Sequence, residues 1–492
     1  MGNPGSIIFI SDKNTFSLNM GQEIANTKFS KQDFELFQSA LEKETATLGR
    51  WLSANKLCND KLVGGFEIEG WILNSSLLPA SVNNEFLARF DNPLVVPELA
   101  VFNIEFNNIP CALNGSFFSQ LHSSTEKLWL SAHETAIQLS EPSTLLLIGT
   151  LPTLKLSDLN EQTMSDVNRY HALNEQIMLR RHSEPLHISI SGKDQLELGS
   201  DNVMLEASTT SFQIHTQVPA KDAHHYNNAA QIISAACVAL SANSPYVFGK
   251  DLWSETRIPL FEQSIDTANP NAPIKRVSFG KNFFQQSIHE CFTENLESFY
   301  ILLPTVAKQN DTLKNLRLHN GTIWRWNRPL IGFDENKQPH VRIEHRAMPA
   351  GPTIIDMIAN AAFYYGLSHY WAQKLINGFP LPEFDEAKKN FYIAAKYGLH
   401  HSFNWYGKKL NPTELIINEL LPQATKGLES LNINANDIDK YLSIIAKRVE
   451  SKQTGADWQR NFVHSNNCDM IELTRAYQQL QMTDTPVHTW NY

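Results

Sequence analysis

Short stretches that alternate apolar and polar residues with period two recur along this chain, and the polar positions are acids, arginines and amides. The clearest is "FEIEGW", Phe66 to Trp71. On a strand, successive side chains point to opposite faces, so Phe66 and Ile68 share one face and Glu67 and Glu69 the other. "NIEFN" sets Asn103, Glu105 and Asn107 against Ile104 and Phe106. "FQIHTQ" sets Gln213, His215 and Gln217 against Phe212 and Ile214. "VRIEHR" sets Arg342, Glu344 and Arg346 against Val341 and Ile343, and in "WRWNR" Trp324, Trp326 and Arg328 share a face. Two carboxylates side by side on one strand repel unless water screens them or a cation bridges them.

A solvated outer face is the common fate of an alternating strand, and either glutamate alone reads that way. None of these polar positions is a lysine, which a plain solvent face would carry. If the strands form one sheet, its apolar face packs on helices. Its other face gathers Glu67, Glu69, Glu105, His215, Glu344 and several arginines. Hard divalent cations prefer oxygen ligands, and guanidinium groups grip phosphate bidentately. Carboxylates for metal beside arginines for phosphate are the layout of a phosphoryl-transfer site. No GxxxxGK[ST] loop and no glycine-rich dinucleotide fingerprint occurs, so the site is neither a P-loop nor a Rossmann crevice.

The remaining organisation is read from period and punctuation. Lys31–Lys56, Gly115–Ser140, Asp166–Arg181, Lys221–Ser241 and Thr353–Lys374 read as helices. "STLLLIGT" reads as a buried strand, and "GTIWRWNRP" with "HVRIEHRA" as a hairpin-like pair. Asn74–Pro97 is broken by prolines and reads as a loop with room for one short helix; with Leu330–Pro339 it is a candidate lid. After the proline-marked joint "NGFPLPEF" the chain reads as helices to its end. The length, 492 residues, admits about two to four domains, or one large domain with a helical extension.

Charge and cysteine usage narrow the partners. The formal net charge is −10 and no long basic run occurs, which argues against nucleic acid or an anionic membrane. A small anionic ligand stays compatible, because a local arginine cluster outweighs a global excess. The five cysteines form no CxxC pair, which argues against a disulfide framework or a cysteine–zinc site and for a reducing, cytoplasmic compartment. The first residues lack the pattern of a secretory signal; a formal myristoylation pattern through Gly2 and Ser6 reads as chance. No apolar run reaches transmembrane length.

Taken in order, "GGFEIEGW", "NIEFN", "SFQIHTQV", "ALSANSPYVFGKDLWSETRIPLFE", "TIWRWNRP" and "VRIEHRAMPAGPTIIDMIANAAFYYGL" resemble the successive motifs of the glutamate–cysteine ligase type 2 family, which includes the YbdK-like carboxylate–amine ligases. The resemblance runs from about Lys61 to about Lys409. It implies an α+β, glutamine-synthetase-like fold: a curved, mainly antiparallel sheet with helices on its convex side and ATP with Mg2+ on its concave face. It divides the chain into an N-terminal segment and helix (1–60), a catalytic domain (61–409) and a C-terminal helical extension (410–492). By motif position Glu67, Glu69, Glu105 and Glu344 match metal-binding glutamates. His215 matches a nucleotide- or metal-side histidine, and is assigned to the nucleotide with Gln213, Arg328, Asn243 and Ser244. Arg346 matches an arginine near the transferred phosphate. Arg257 matches one expected to hold the amino-acid carboxylate or stabilise the acyl phosphate; these two arginines form the expected catalytic pair. Tyr170 and Arg169 match a helix motif without an assigned role.

The implied activity is ATP-dependent amide-bond formation through an acyl phosphate, with glutamate as carboxylate donor and an amino acid or amine as acceptor. The expected partners are these small molecules; a homo-oligomer is left open. A guanidino kinase of the same superfamily is disfavoured, because its active-site cysteine motif is missing. The alternative from another class is a catalytically silent nucleotide-binding or regulatory protein. The histidine doublets at 224–225 and 400–401 lie on helices, where adjacent side chains diverge, and are not read as metal sites. Cys237 reads as core, and Trp324 and Trp326 as packing.

Overall fold

The computed structural model describes residues 24–267, 274–305 and 312–492. The readings made on the first residues, the missing secretory signal and the Gly2/Ser6 pattern, lie outside them.

The alternating stretches come together in one eight-stranded sheet, curled into an open half-barrel. Its main order is Asn327–Phe333, Pro339–Pro349, Ser211–Val218, Val63–Leu73, Asn103–Asn107, Val95–Pro97, each antiparallel to its neighbour. Cys111–Ala112 and Thr144–Leu146 extend the pairing at the two ends of Val63–Leu73. The registers match polar residue to polar residue. Glu67 lies opposite Gln213 on one side and Asn107 on the other, Glu69 opposite Glu105, and Glu344 opposite His215 and Arg328. A slip of one residue would send each acid to the apolar side, so the pattern itself fixes the pairing.

The apolar face is covered by Ala223–Ser241 and Ile354–Ile376, which touch strands Pro339–Pro349 and Ser211–Val218. Both helices are buried almost all round, as expected of an inner layer with material on both sides. Tyr365 ties the inner helix to the sheet: its hydroxyl accepts from Gly65 N (2.9 Å) and lies 3.0 Å from His215 O. Gly64 beside it leaves room for Phe117, whose ring a Cβ would approach to 2.4 Å.

The C-terminal region is helical, as expected, and packs on the outer side of Ile354–Ile376. Helix Leu421–Ser430 crosses it at Gly427, where a Cβ would lie 1.9 Å from Gly366 O, so only glycine permits this approach. Helix Ala435–Ser451 contributes Arg448, buried in a 2.6 Å ion pair with Asp356. One continuous apolar core runs from Ile24 to Trp490.

Three local expectations change. Asn74–Pro97 carries the one short helix expected of it, Asn83–Phe90, and adds the edge strand Val95–Pro97 where loop was expected. An edge strand tolerates Pro97, which lacks a ladder N–H. Leu330–Pro339 is strand with a tight turn, in which Asp334 Oδ1 accepts from Asn336 N and Gln338 N (2.9 Å each). "GTIWRWNRP" splits into Trp324–Arg325, paired in parallel with Val277–Ser278, and Asn327–Phe333. The hairpin Leu186–Ser191 with Gln195–Ser200 adds a small separate sheet that the sequence reading did not single out.

Candidate active site

The concave face of the sheet encloses a cavity of ≈ 380 Å³, lined by Glu67, Glu69, Glu105, Gln213, Arg328, Arg342, Glu344 and Arg346 from the strands. Glu98, Arg169, Tyr170, Glu206 and Trp324 line it from outside them. A smaller recess of ≈ 40 Å³ adjoins it through shared walls of Glu69, Glu98, Glu206 and Arg346, and reaches Asn103, Thr210, Arg257, Phe261 and Trp326.

Acidic residues fall into two sets. In the first, His215 Nε2 lies 3.1 Å from Glu67 Oε1 and 3.9 Å from Glu344 Oε1. Glu67 Oε1 and both ring nitrogens of His215 are buried without a hydrogen bond among the described residues. Glu67 Oε1 and His215 Nε2 converge with Glu344 Oε1, and such a group suits a cation, since buried polar atoms otherwise find partners. The second set is Glu69, Glu98 and Glu105, with one ligand atom from each within 4.8 Å of the others. Three carboxylates and no nitrogen or sulfur suit Mg2+. Both sets therefore fit divalent ions by donor chemistry, and the three acids of the second set would repel without one.

Their environments differ. Glu344 is fully buried, which opposes ionisation, yet Arg328, Arg346 and His215 hold its carboxyl far below the usual range. Arg328 grips it bidentately, Nε to Oε2 at 2.7 Å and Nη2 to Oε1 at 2.9 Å, and Arg346 Nη1 lies 3.3 Å from Oε2. Glu69 accepts from Ser211 N (2.6 Å), Ser211 Oγ (2.8 Å) and Gln213 Nε2 (2.7 Å). Burial, with Glu98 beside it, still pushes it up to about 7. Glu105 is raised by burial and by Glu67 and Glu98, so it senses both sets. Glu206 is pushed up to about 8 by burial and Glu98.

Of the sequence-assigned residues, the structure brings Glu67, Glu69, Glu105, Gln213, His215, Arg328, Glu344 and Arg346 together on this face. Arg257 reaches only the recess, and its donors go to protein: Nε to Thr210 O (2.9 Å), Nη2 to Arg346 O and Met348 O (2.8 Å each), Nη1 toward Glu255 and Ala347 O (3.5 Å each). Asn243 and Ser244 are not in the cavity. They are wholly buried behind it, where Asn243 bonds Ala350 O and Tyr477 OH and Ser244 Oγ accepts from Arg257 N. Trp324 lines the cavity and Trp326 the recess, so both border the site as well as pack.

Two acids were missed. Glu98 follows the edge strand Val95–Pro97, whose proline, with Pro93 before it, masks it as loop; the signal was its position five residues before "NIEFN". Glu206 sits on the 3-10 turn Val203–Ser208, where no strand or helix period exists to flag it. Arg169 and Tyr170, noted in the sequence without a role, form the wall facing the sheet. Arg169 Nη2 donates to Tyr170 OH (2.7 Å), while its Nε is buried without a hydrogen bond among the described residues.

A family model described as glutamate-cysteine ligase family 2 matches residues 65–479, and so continues through most of the C-terminal helices. A crystal structure of glutamate–cysteine ligase from Francisella tularensis in complex with AMP is similar, with a TM-score of 0.56, 9% identity, and coverage of 88% of this chain and 90% of that one. At that identity the likeness concerns the fold. A bifunctional glutathione synthetase from Pasteurella multocida aligns with a TM-score of 0.47 and 10% identity over 90% of this chain and 54% of that one. No curated protein sequence matches. No described helix is long and apolar enough to cross a membrane.

Proposed function

The chain belongs to glutamate–cysteine ligase family 2, and we propose that it is an ATP-dependent carboxylate–amine ligase working through an acyl phosphate, with glutamate as the carboxylate donor. The observation that carries this reading is the pairing of two carboxylate sets with Arg328 and Arg346 on the floor of one cavity.

Glu67, His215 and Glu344 would hold one Mg2+, and Glu69, Glu98 and Glu105 another. Bound there, Mg2+ supplies charge neutralisation for the phosphates of ATP. Arg346, anchored by Glu344 and Gln213, presents a guanidinium to the transferring phosphoryl group and spreads its charge. A carboxylate oxygen of the substrate attacks the γ-phosphorus, the bond to ADP breaks, and an acyl phosphate forms. The amine then attacks the acyl carbon and phosphate departs with the former carboxylate oxygen. Arg169, across the cavity from the sheet, has its Nε without a hydrogen bond among the described residues, and its guanidinium would meet an anionic group of the substrate. Water must be kept from the acyl phosphate during this second step, or it hydrolyses.

The test is phosphate and ADP release with MgATP, glutamate and a panel of amines, cysteine first. The proposal expects release to require the carboxylate, and amide to form when an amine is added. MgATP-induced thermal stabilisation without product from any pair would favour the silent nucleotide-binding protein.

A further inference from the structure

Strand Pro339–Pro349 changes register where it matters to the site. His345 lies opposite Ile214 but Met348 opposite Phe212, so three steps on one strand match two on the other. Arg346 and Ala347 thus face the single residue Gln213 in a β-bulge. His345 and Met348 stay on the apolar side with Ile214 and Phe212, and Arg346 is turned to the cavity. A bulge breaks the ladder, and buried carbonyls there need other partners.

Arg257 is that partner. Its guanidinium spans the carbonyls of Arg346, Ala347 and Met348 and reaches Thr210 O at the entry to the neighbouring strand. The group is 2% exposed and lies with its Cζ 5.8 Å from the Trp326 ring. Glu255, itself fully buried, lies 3.5 Å from Arg257 Nη1 and accepts from Asn243 N at 3.0 Å. Asn243 in turn meets the C-terminal helices. Its Nδ2 donates to Tyr477 OH (2.8 Å), and its Oδ1 accepts from Gln459 Nε2 (3.0 Å). The fit is close: a Cβ on Gly455 would lie 2.1 Å from Asn243 Oδ1.

We infer that Arg257 is a positioning residue, not a substrate ligand: it holds the bulge that aims Arg346 into the cavity, and the C-terminal helices set it through Asn243 and Glu255. This rests on the ligase reading for its kinetic consequence, though not for its geometry. A guanidinium has donors enough for several carbonyls in one plane, whereas a lysine ammonium cannot span them.

The experiment compares Arg257→Lys, Tyr477→Phe, Arg346→Lys and the double variant Arg257→Lys/Arg346→Lys. Misplacing a catalytic group by a fraction of its reach costs up to on the order of 100-fold. Arg257→Lys is expected to lower kcat on that scale with KM for ATP and for the carboxylate within about twofold. Tyr477→Phe, which keeps the ring and loses the hydroxyl, is expected to lower kcat several-fold. In the Arg346→Lys background Arg257→Lys is expected to add nothing further, because both act through one group. Additive losses, an unchanged kcat, or a raised KM for the carboxylate would overturn the inference; the last would return Arg257 to the substrate. Hydrogen exchange over residues 343–350 reads the same point without turnover. Both Arg257→Lys and Tyr477→Phe should speed exchange of the Arg346 amide, which donates to Trp326 O at 2.9 Å. Unchanged exchange would overturn the inference even if the wild-type protein makes no amide, an outcome that would by itself defeat only the ligase reading.

Discussion

Glu67 and Glu69 stand two residues apart on one face of one strand, yet they belong to different carboxylate sets. Glu67 meets His215 and Glu344, and Glu69 meets Glu98 and Glu105. The ladder explains the division. Glu69 lies opposite Glu105 on the strand beside it, whereas Glu67 lies opposite Gln213, next to the strand that carries Glu344. Neighbouring strands thus separate two like charges that the sequence places side by side.

Removing one acid from either set should therefore be equally damaging. Glu67→Gln and Glu98→Gln are expected to lower Mg2+-dependent ATP turnover by ~100-fold or more, since even indirect supports of a metal cost tenfold to a hundredfold. The fold should survive, with a melting temperature in EDTA at pH 8 no lower than wild type, because repulsion is relieved. Near-wild-type turnover by Glu98→Gln would remove the second set from the site.

Arg346→Lys keeps the charge but loses the planar fork that meets Glu344 and Gln213 while facing the cavity. A fall in kcat of about 100-fold is expected, comparable with losing one preorganised donor to a developing charge. Turnover at a similar rate would make Arg346 an electrostatic neighbour only.

Arg169→Lys should act on binding. The lysine cannot keep Tyr170 and present further donors together. KM for the carboxylate is expected to rise by about tenfold, the size of one charge-assisted hydrogen bond, with stabilisation by MgATP kept. An unchanged KM would assign Arg169 to neutralising Glu98 and Glu105.

Stability without metal should fall as pH rises above neutrality. Glu69 and Glu206 are raised by burial from 4.5 to about 7 and about 8. The folded state thus holds protons that the unfolded chain has released, and stability is lost as pH climbs through those values. Buried histidines such as His133 and His319, lowered by burial from 6.5 to about 4, act in the opposite sense, but only below pH 6.5. The window to test is therefore pH 6.5 to 8.5. In EDTA the melting temperature should drop across it; with MgATP the drop should shrink, because bound cations favour the ionised acids. Parallel curves with and without Mg2+ would contradict this.

The sheet was legible because every central strand alternates apolar and polar residues, and that pattern fixes both existence and register. Glu67, Glu105 and Glu344 could be found from it for the same reason. Glu98 and Glu206 could not: one follows a proline-broken edge strand, the other rides a 3-10 turn, and neither has a period. Arg257 was legible as an arginine in a motif but not as a brace. Its carbonyl partners belong to a bulge that no spacing in the sequence announces. Asn243 likewise reads as a loop residue until Gln459 and Tyr477, more than two hundred positions on, close over it.

The central claim is that a substrate carboxylate is activated by phosphoryl transfer before an amine displaces the phosphate. Glutamate labelled with 18O in both carboxylates, supplied with MgATP and an amine acceptor, tests this directly by mass spectrometry of the phosphate and the amide. The account predicts one 18O in each phosphate released, one phosphate per amide, and no label transfer without the amine-driven step or slow hydrolysis of the acyl phosphate. Unlabelled phosphate, or ADP formation that does not depend on any carboxylate, would contradict it.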